Sequence, residues 1–412
     1  MMYDQITLPN GLRVIGERIP HFRSVSVGLW VGSGSQFESV EEAGFSHFVE
    51  HMVFKGTAKR TARQIAEEMD AVGGQLNAFT AKECTCFYAK VVDEHLPLAI
   101  DVIADMASAP AFDAGEMEKE KGVVIEEIAM SEDTPEDLVH ELLMLAHYGD
   151  QPVARQILGT EARIRSCTPA LLRDYWSRMY RPQNAVLSIA GNYVWEDVVR
   201  MAEALLGTWP AEGLEKRDCV TLPAEPGRIA REKDIEQVHI CLGYPAPDLF
   251  DDRQYDLAIG NSVFGGAMSS RLFQKIREES GMAYTVYSFP NAYTDTGMLS
   301  IYAATNPETA RPVMDMILEE ARILVEEGIT EAEFTMAREQ LKASLIMGTE
   351  STSARMQAIG RRMLLKNATR TPTEILDKVN AVKRDNVNAL MRELLTQPHS
   401  LALVGKGVDG LR

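Results

Sequence analysis

"GGQLNAFTAKECTCFYAKVVDEHLPLAIDVIADM", residues 73–106, opens on a Gly-Gly corner and runs through a strand hairpin. A short polar corner follows, and then an amphipathic helix. The same plan returns in "GMAYTVYSFPNAYTDTGMLSIYAATNPETARPVMDMIL", residues 281–318, about 205 to 215 positions later. A second pair of strings repeats at a similar distance. "YRPQNAVLSIAGN" (180–192) and "TQPHSLALVGKG" (396–407) are each a proline, a buried-strand run and a glycine, with Pro182 and Pro398 offset by 216. A period this long marks duplication of a whole domain rather than a solenoid. Each half reads as strands, a helix, a hairpin, several helices and a final strand. That order predicts an α+β fold of two related domains, each a mainly antiparallel sheet with helices packed on it. Between the halves, "TWPAEGLEKRDCVTLPAEPGRI" (208–229) has three prolines and no sustained period. The expected domains are therefore 1–212 and 229–412, joined by a linker at 213–228.

Composition narrows the function classes. The 412 residues are 45% hydrophobic and 25% charged, as in a globular chain with a sizeable core. A net charge of -18 argues against nucleic acid and suits basic or neutral ligands. No apolar run approaches the roughly 20 residues of a membrane span. "MMYDQITLPNGLRV" reads as a strand entering a turn, not a signal peptide. The five cysteines (84, 86, 167, 219 and 241) show neither CxxC spacing nor a disulfide framework. Cys84 and Cys86 read as buried thiols on one strand face, and a reducing cytoplasm is the expected compartment.

The chemistry is concentrated in "HFVEHMVFKGT", residues 47–57. Residues four apart project from one helical face, so His47 and His51 can meet one ion, with Glu50 beside them. Metal-assisted hydrolysis needs two neutral nitrogen ligands and a base that takes a proton from water. HxxEH is the inverted zinc-peptidase string. Taken alone, it also fits two polar residues on a half-buried helix. A third ligand is expected from "EMEKEKGVVIEEIAM", residues 116–130. On its helical wheel Glu120 and Glu127 fall within about 20° of each other. Val123, Val124 and Ile128 surround them in an apolar stripe, and Glu126 points elsewhere. Charges on a buried face are costly unless paired or metal-bound. Glu127 is thus the expected third ligand, and Glu120 the group that holds a histidine or positions water.

HxxEH with a glutamate 76 residues after its second histidine resembles the pitrilysin/insulinase family of zinc metallopeptidases, the mitochondrial processing peptidase β-subunit and its bacterial relatives above all. The flanking strings agree across nearly the whole chain: "GFSHFVEHMVFKGT", "GGQLNAFTAKECTCFYAKV", "EKGVVIEEIAMSEDTPEDLVHELL", "ILGT", "YRPQNAVLSIAGN" and "SSRLFQKIREESGMAYTVYSF". The resemblance implies two α+β domains closing like a clam around a chamber, and one Zn2+ per chain held by His47, His51 and Glu127. It makes Glu50 the general base. It also implies that an extended substrate adds as a strand beside "LNAFTAKE" (76–83), with Asn77, Ala78 and Phe79 binding it. The bare pattern equally allows Phe79 to be core. Glu83 either frames the site or is a surface charge. From the second half the resemblance assigns Arg277 to gripping substrate backbone and Tyr284 to stabilising the oxyanion, against plain readings as a surface arginine and a core strand residue.

"VFGGAMSSRL" (263–272) has one Gly-Gly pair and lacks the longer glycine-rich loop of the family's non-catalytic partners, which marks the catalytic type. His21, His95, His140, His147, His239 and His399 read as structural. The expected activity is a zinc endopeptidase acting on unfolded or presequence-like peptides, of basic character by charge. The expected assembly is a homodimer, with no nucleic acid and no membrane. The rival reading is a non-catalytic peptide-binding or scaffold subunit; a hydrolase of non-peptide substrates is a weaker third.

Overall fold

The structure is a computed structural model that describes residues 3–215 and 220–411. Cys219 and positions 216–219 of the linker lie outside the described residues. Two compact units are present.

The first unit is built on six strands: β1 (Asp4–Thr7), β2 (Arg13–Arg18), β3 (Ser24–Val31), β4 (Gln75–Thr80), β5 (Thr85–Val92) and β6 (Ala185–Gly191), in the order β1-β2-β6-β3-β5-β4. All pairs are antiparallel except β2 with β6. The second unit has five: β7 (Arg228–Glu232), β8 (Val238–Pro245), β9 (Ala283–Ala292), β10 (Gly297–Thr305) and β11 (Ser400–Gly405), in the order β7-β11-β8-β10-β9. Here β7 with β11 is the parallel pair. Removing β1 leaves the same order and the same single parallel junction in both sheets, which is what duplication requires.

Both faces of each sheet are covered, so the strands carry continuous buried runs rather than clean alternation. In β3, Val25, Val27, Leu29 and Val31 pack in the large core with Ile100, Ile103 and Met106 of the helix Leu96–Ser108. Trp30, on the opposite face, packs with Ile15, Cys86, Val186, Met356, Ile359 and Met363. Its indole N–H donates to Ser188 Oγ at 2.9 Å. The last three of those apolar residues come from the helix Thr352–Lys366, far along the chain. Its Gly360 lies so close to Trp30 that a Cβ would collide with the indole nitrogen.

The contiguous division at 213–228 therefore needs correction. The first unit contains residues 346–372, and the second contains 129–154. The helix Pro135–Tyr148 places Leu138, Val139, Leu142 and Leu143 in a cluster with Cys241, Tyr302, Ala402 and Val404 of the second sheet. Pro135 and Thr352, the first residues of the two exchanged helices, are 217 positions apart. That matches the repeat offset of the prolines, so the duplicated halves have traded equivalent helices. The cause is the apolar face on each sheet that its own half leaves bare. Local patterns locate a helix but not the sheet that receives it.

Candidate metal centre

Two helices carry the candidate ligands, α1 (Phe45–Val53) and α3 (Ala114–Asp133), while α2 (Ala62–Asp70), which follows α1 in the chain, supplies none of them. α1 carries Phe48, Val49, Met52 and Val53 into the core, which turns His47, Glu50 and His51 to the less buried side. In α3, Met117, Val124 and Ile128 are buried together with Glu120, while Glu127 is half-buried and Glu126 exposed. Glu120 lies in the buried stripe as predicted, whereas Glu127 stands at its half-buried margin. Val123 does not belong to the stripe: at its edge, it is 46% exposed.

His47 Nε2 and His51 Nε2 face each other at 3.2 Å. Glu127 Oε2 lies 3.7 Å from the first and 3.4 Å from the second. Two ligand atoms each about 2.0–2.1 Å from a tetrahedral zinc stand roughly 3.3–3.4 Å apart. The three atoms thus have the spacing of a zinc ligand set, and all lie within 4.8 Å of one another. Among the described residues they form the sole group of three or more His, Cys, Asp or Glu with such convergence.

The electrostatics favour a cation. Burial, and then His51, pushes the His47 imidazole down to about 4, so it stays neutral with a free lone pair. Burial also opposes a charge on His51, but its hydrogen bond to Glu120 and the fields of Glu127, Glu120 and Glu50 outweigh it and raise its pKa. The second imidazole nitrogen of His51, Nδ1, lies 2.8 Å from Glu120 Oε1. Although burial works against it, Glu120 is held below the usual carboxylate range by His51 and Lys55. An ionised carboxylate only accepts, so in the neutral His51 ring Nδ1 carries the proton and Nε2 is left free for a metal. Lys55 Nζ grips the other oxygen, Oε2, at 2.6 Å.

Glu50 is not in the ligand group. Thr80 Oγ1 donates to its Oε2 at 2.5 Å. Burial raises the Glu50 carboxyl, the Thr80 bond and His51 pull it back, and Glu127 adds to the rise. Sequence reasoning missed Lys55 and Thr80. Both had a signal: Lys55 follows His51 by four residues, and Thr80 shares a strand face with Ala78.

β4 is the edge of its sheet, paired on one side with β5 through Asn77↔Tyr88 and Ala78↔Phe87. The Ala78 N–H donates to Asn77 Oδ1 at 2.8 Å rather than into the ladder. Phe79 is half-buried and packs edge-on against Trp30, with 5.6 Å between centroids, at the margin of the Trp30 cluster. Glu83 is 3% exposed, so its reading as a surface charge is wrong. Arg277 and Tyr284 lie in the second unit, on the helical segment Phe273–Glu279 and on β9. The guanidinium sits 4.4 Å over the Tyr284 ring. Tyr284 is 74% exposed, which excludes a core strand role. His140, His147 and His239 meet Cys241, Ser400 and Tyr302 respectively, as structural histidines do. No helix among the described residues is long and apolar enough to cross a membrane.

Known proteins resemble this chain in sequence and in fold. Residues 13–161 match the family model described as insulinase (peptidase family M16), and residues 166–341 match the one described as the peptidase M16 inactive domain. A protein of Bacillus subtilis named as an uncharacterized zinc protease, YmxG, is 44% identical over 98% of both chains. One of Mycobacterium leprae with the same description is 39% identical over 97% of this chain and 91% of its own. Among solved structures, a peptidase M16 inactive domain from Pseudomonas fluorescens superposes with a TM-score of 0.92 at 18% identity, over 99% of this chain and 98% of its own. A protease from Helicobacter pylori gives 0.90 at 20% identity, over 98% and 99%. Family-model matches across both halves, together with full-length relatives, establish that the chain belongs to the insulinase family, peptidase family M16.

Proposed function

We propose that the protein is a zinc-dependent endopeptidase that cleaves unfolded peptide segments. The observation that carries this reading is the convergence of His47, His51 and Glu127 at ligand spacing, with a half-buried carboxylate, Glu50, beside them outside the ligand set. Bound by those three side chains, zinc supplies a Lewis acid and lowers the pKa of water to about 7. Glu50 Oε accepts a proton from the attacking water and delivers it to the departing amide nitrogen. Thr80 aims that carboxylate, and burial keeps it basic enough to hold the proton between the two transfers. Glu120 fixes the His51 tautomer, and Lys55 holds Glu120 in place.

The substrate adds to the free edge of β4, where main-chain hydrogen bonds supply affinity without demanding a sequence. The Ala78 N–H is released from Asn77 Oδ1 as the peptide pairs. Such binding needs an extended, unfolded segment, and the net charge of -18 favours basic ones. Tyr284 donates its phenol O–H to the developing oxyanion, and Arg277 its guanidinium to substrate backbone. The exposure of Tyr284 and the stacking of its ring under Arg277 suit that role. A second reading, a peptide-binding subunit without turnover, draws on the description of the second half's family model as an inactive domain. Both are tested by mapping cuts in a pool of unfolded peptides by mass spectrometry, with chelator and with zinc restored. Peptides retained but never cut would replace the first reading by the second.

A further inference from the structure

α1 enters the site from a backbone that offers no ordinary cap. Gly44 precedes it at φ 91° with no side-chain bond to the first turn. A Cβ at Gly44 would press on the Leu158 carbonyl oxygen at 2.7 Å. The first amides of a helix have no partner within it. Here two are taken by a carboxylate from upstream: Gly44 N–H donates to Glu38 Oε2 at 2.8 Å, and Ser46 N–H to Oε1 at 2.6 Å. Between them, Phe45 N–H donates to the Glu42 carbonyl at 2.8 Å. Glu38 is 2% exposed, and its own carbonyl accepts from the Arg155 guanidinium. The Ser46 hydroxyl is pinned by Tyr175 OH at 2.7 Å, which in turn meets Ser33 Oγ at 3.1 Å. Nothing in this group touches a metal-site side chain, yet His47 is the next residue after Ser46.

We propose that Glu38 is a positioning residue for the metal centre: by gripping the Gly44 and Ser46 amides, its carboxylate sets the axial position and rotation at which α1 presents His47 and His51 to Glu127. The inference rests on the zinc reading above. Glu127 belongs to a different helix, and metal–ligand distances hold within about 0.2 Å. A helix free to slip or turn by a few tenths of an ångström therefore loses the shared geometry. A carboxylate is suited to the task because its hydrogen bonds to amides are charge-assisted and it faces the positive end of the helix dipole. Burial pushes the Glu38 carboxyl up to about 7 against the pull of the Ser46 and Gly44 amides, so the clamp is best measured at pH 8.

The test compares the full chain with Glu38→Gln, Glu38→Asp and Glu17→Gln. Glu17 is a buried carboxylate of the same unit, paired with Arg355 and outside the site. Zinc affinity is read by chelator competition, and ligand geometry by the visible absorption of the Co2+-loaded protein. Glu38→Gln is expected to weaken zinc about 10–100-fold and to change the Co2+ spectrum, with Glu38→Asp intermediate. Glu17→Gln should lower the melting temperature while moving neither readout. A Glu38→Gln chain that melts earlier but keeps the parental affinity and spectrum overturns the inference and leaves the function standing. If Glu38→Gln does not fold, Tyr175→Phe must shift both readouts the same way by less, and parental values there overturn it equally. Failure of the unmodified chain to take up either metal defeats the zinc reading itself.

Discussion

Replacing Glu127 by glutamine, with Glu126→Gln as its neighbour control, separates a ligand from a surface charge one residue away. Glu127 Oε2 stands 3.4 and 3.7 Å from the two imidazole nitrogens, whereas Glu126 is exposed on another face of the same helix. Both changes remove one negative charge and alter helix propensity equally, so any difference reflects position. Structural zinc sites with four ligands bind with about 10–16 kcal/mol at neutral pH, or roughly 2.5–4 kcal/mol per ligand. At 1.4 kcal/mol per tenfold, loss of one ligand weakens zinc on the order of 10²–10³-fold. The amide oxygen of glutamine remains a weak donor, which places the expected loss at the lower end. Dialysis against a chelator of graded strength, followed by metal analysis, reads the two variants side by side. Glu126→Gln should retain zinc like the parent. Equal retention by both variants would show that α3 does not complete the site.

Glu50→Gln should keep its zinc and lose about 10²–10⁴-fold in turnover, since a base and not a ligand is removed; near-normal peptidase activity would end that assignment. Tyr284→Phe should lower turnover on the order of 10²–10³-fold at unchanged zinc content and melting temperature. A fully active but less stable variant would return Tyr284 to a structural role. The last concerns pH. Burial holds the folded pKa of His147 at about 4, below its ordinary 6.5. The unfolded chain therefore takes up this proton first, and acid favours unfolding between those values. The penalty begins as pH falls below 6.5 and levels off near 4, on the order of 3 kcal/mol. His147→Gln should flatten that part of the stability profile in denaturant melts. An unchanged slope would mean that His147 protonates without cost in the folded chain.

How much was legible follows from the range of each signal. His47, Glu50 and His51 share a helical turn, and Glu120 and Glu127 a helical face, so local periodicity reaches all five. The duplication was visible in paired strings, and the sheets repeat it in five strands each, with β1 the one extra strand of the first. Lys55 escaped because a lysine just past a helix reads as solvated until its partner on α3 is known. Glu38 escaped because its bonds go to backbone amides, which leave no side-chain pattern. Glu83 was left open between framing the site and a surface charge because its polar neighbours in "AKECT" conceal a buried position. The exchanged helices were unreadable for a different reason: two near-equivalent amphipathic helices each satisfy the same local rules on either sheet.

That exchange has a consequence during synthesis. The first sheet is complete in sequence once Gly191 has been made, but the helix that covers Trp30, Ile15 and Val186 ends only at Lys366, another 175 residues on. At ribosomal speeds of about 5–20 residues per second, roughly 10–35 s separate the two events. Through that interval the nascent N-terminal half exposes an apolar sheet face, while the helix Pro135–Tyr148 waits for strands not yet translated. The chain is therefore most vulnerable to aggregation and to chaperone capture midway through its own translation.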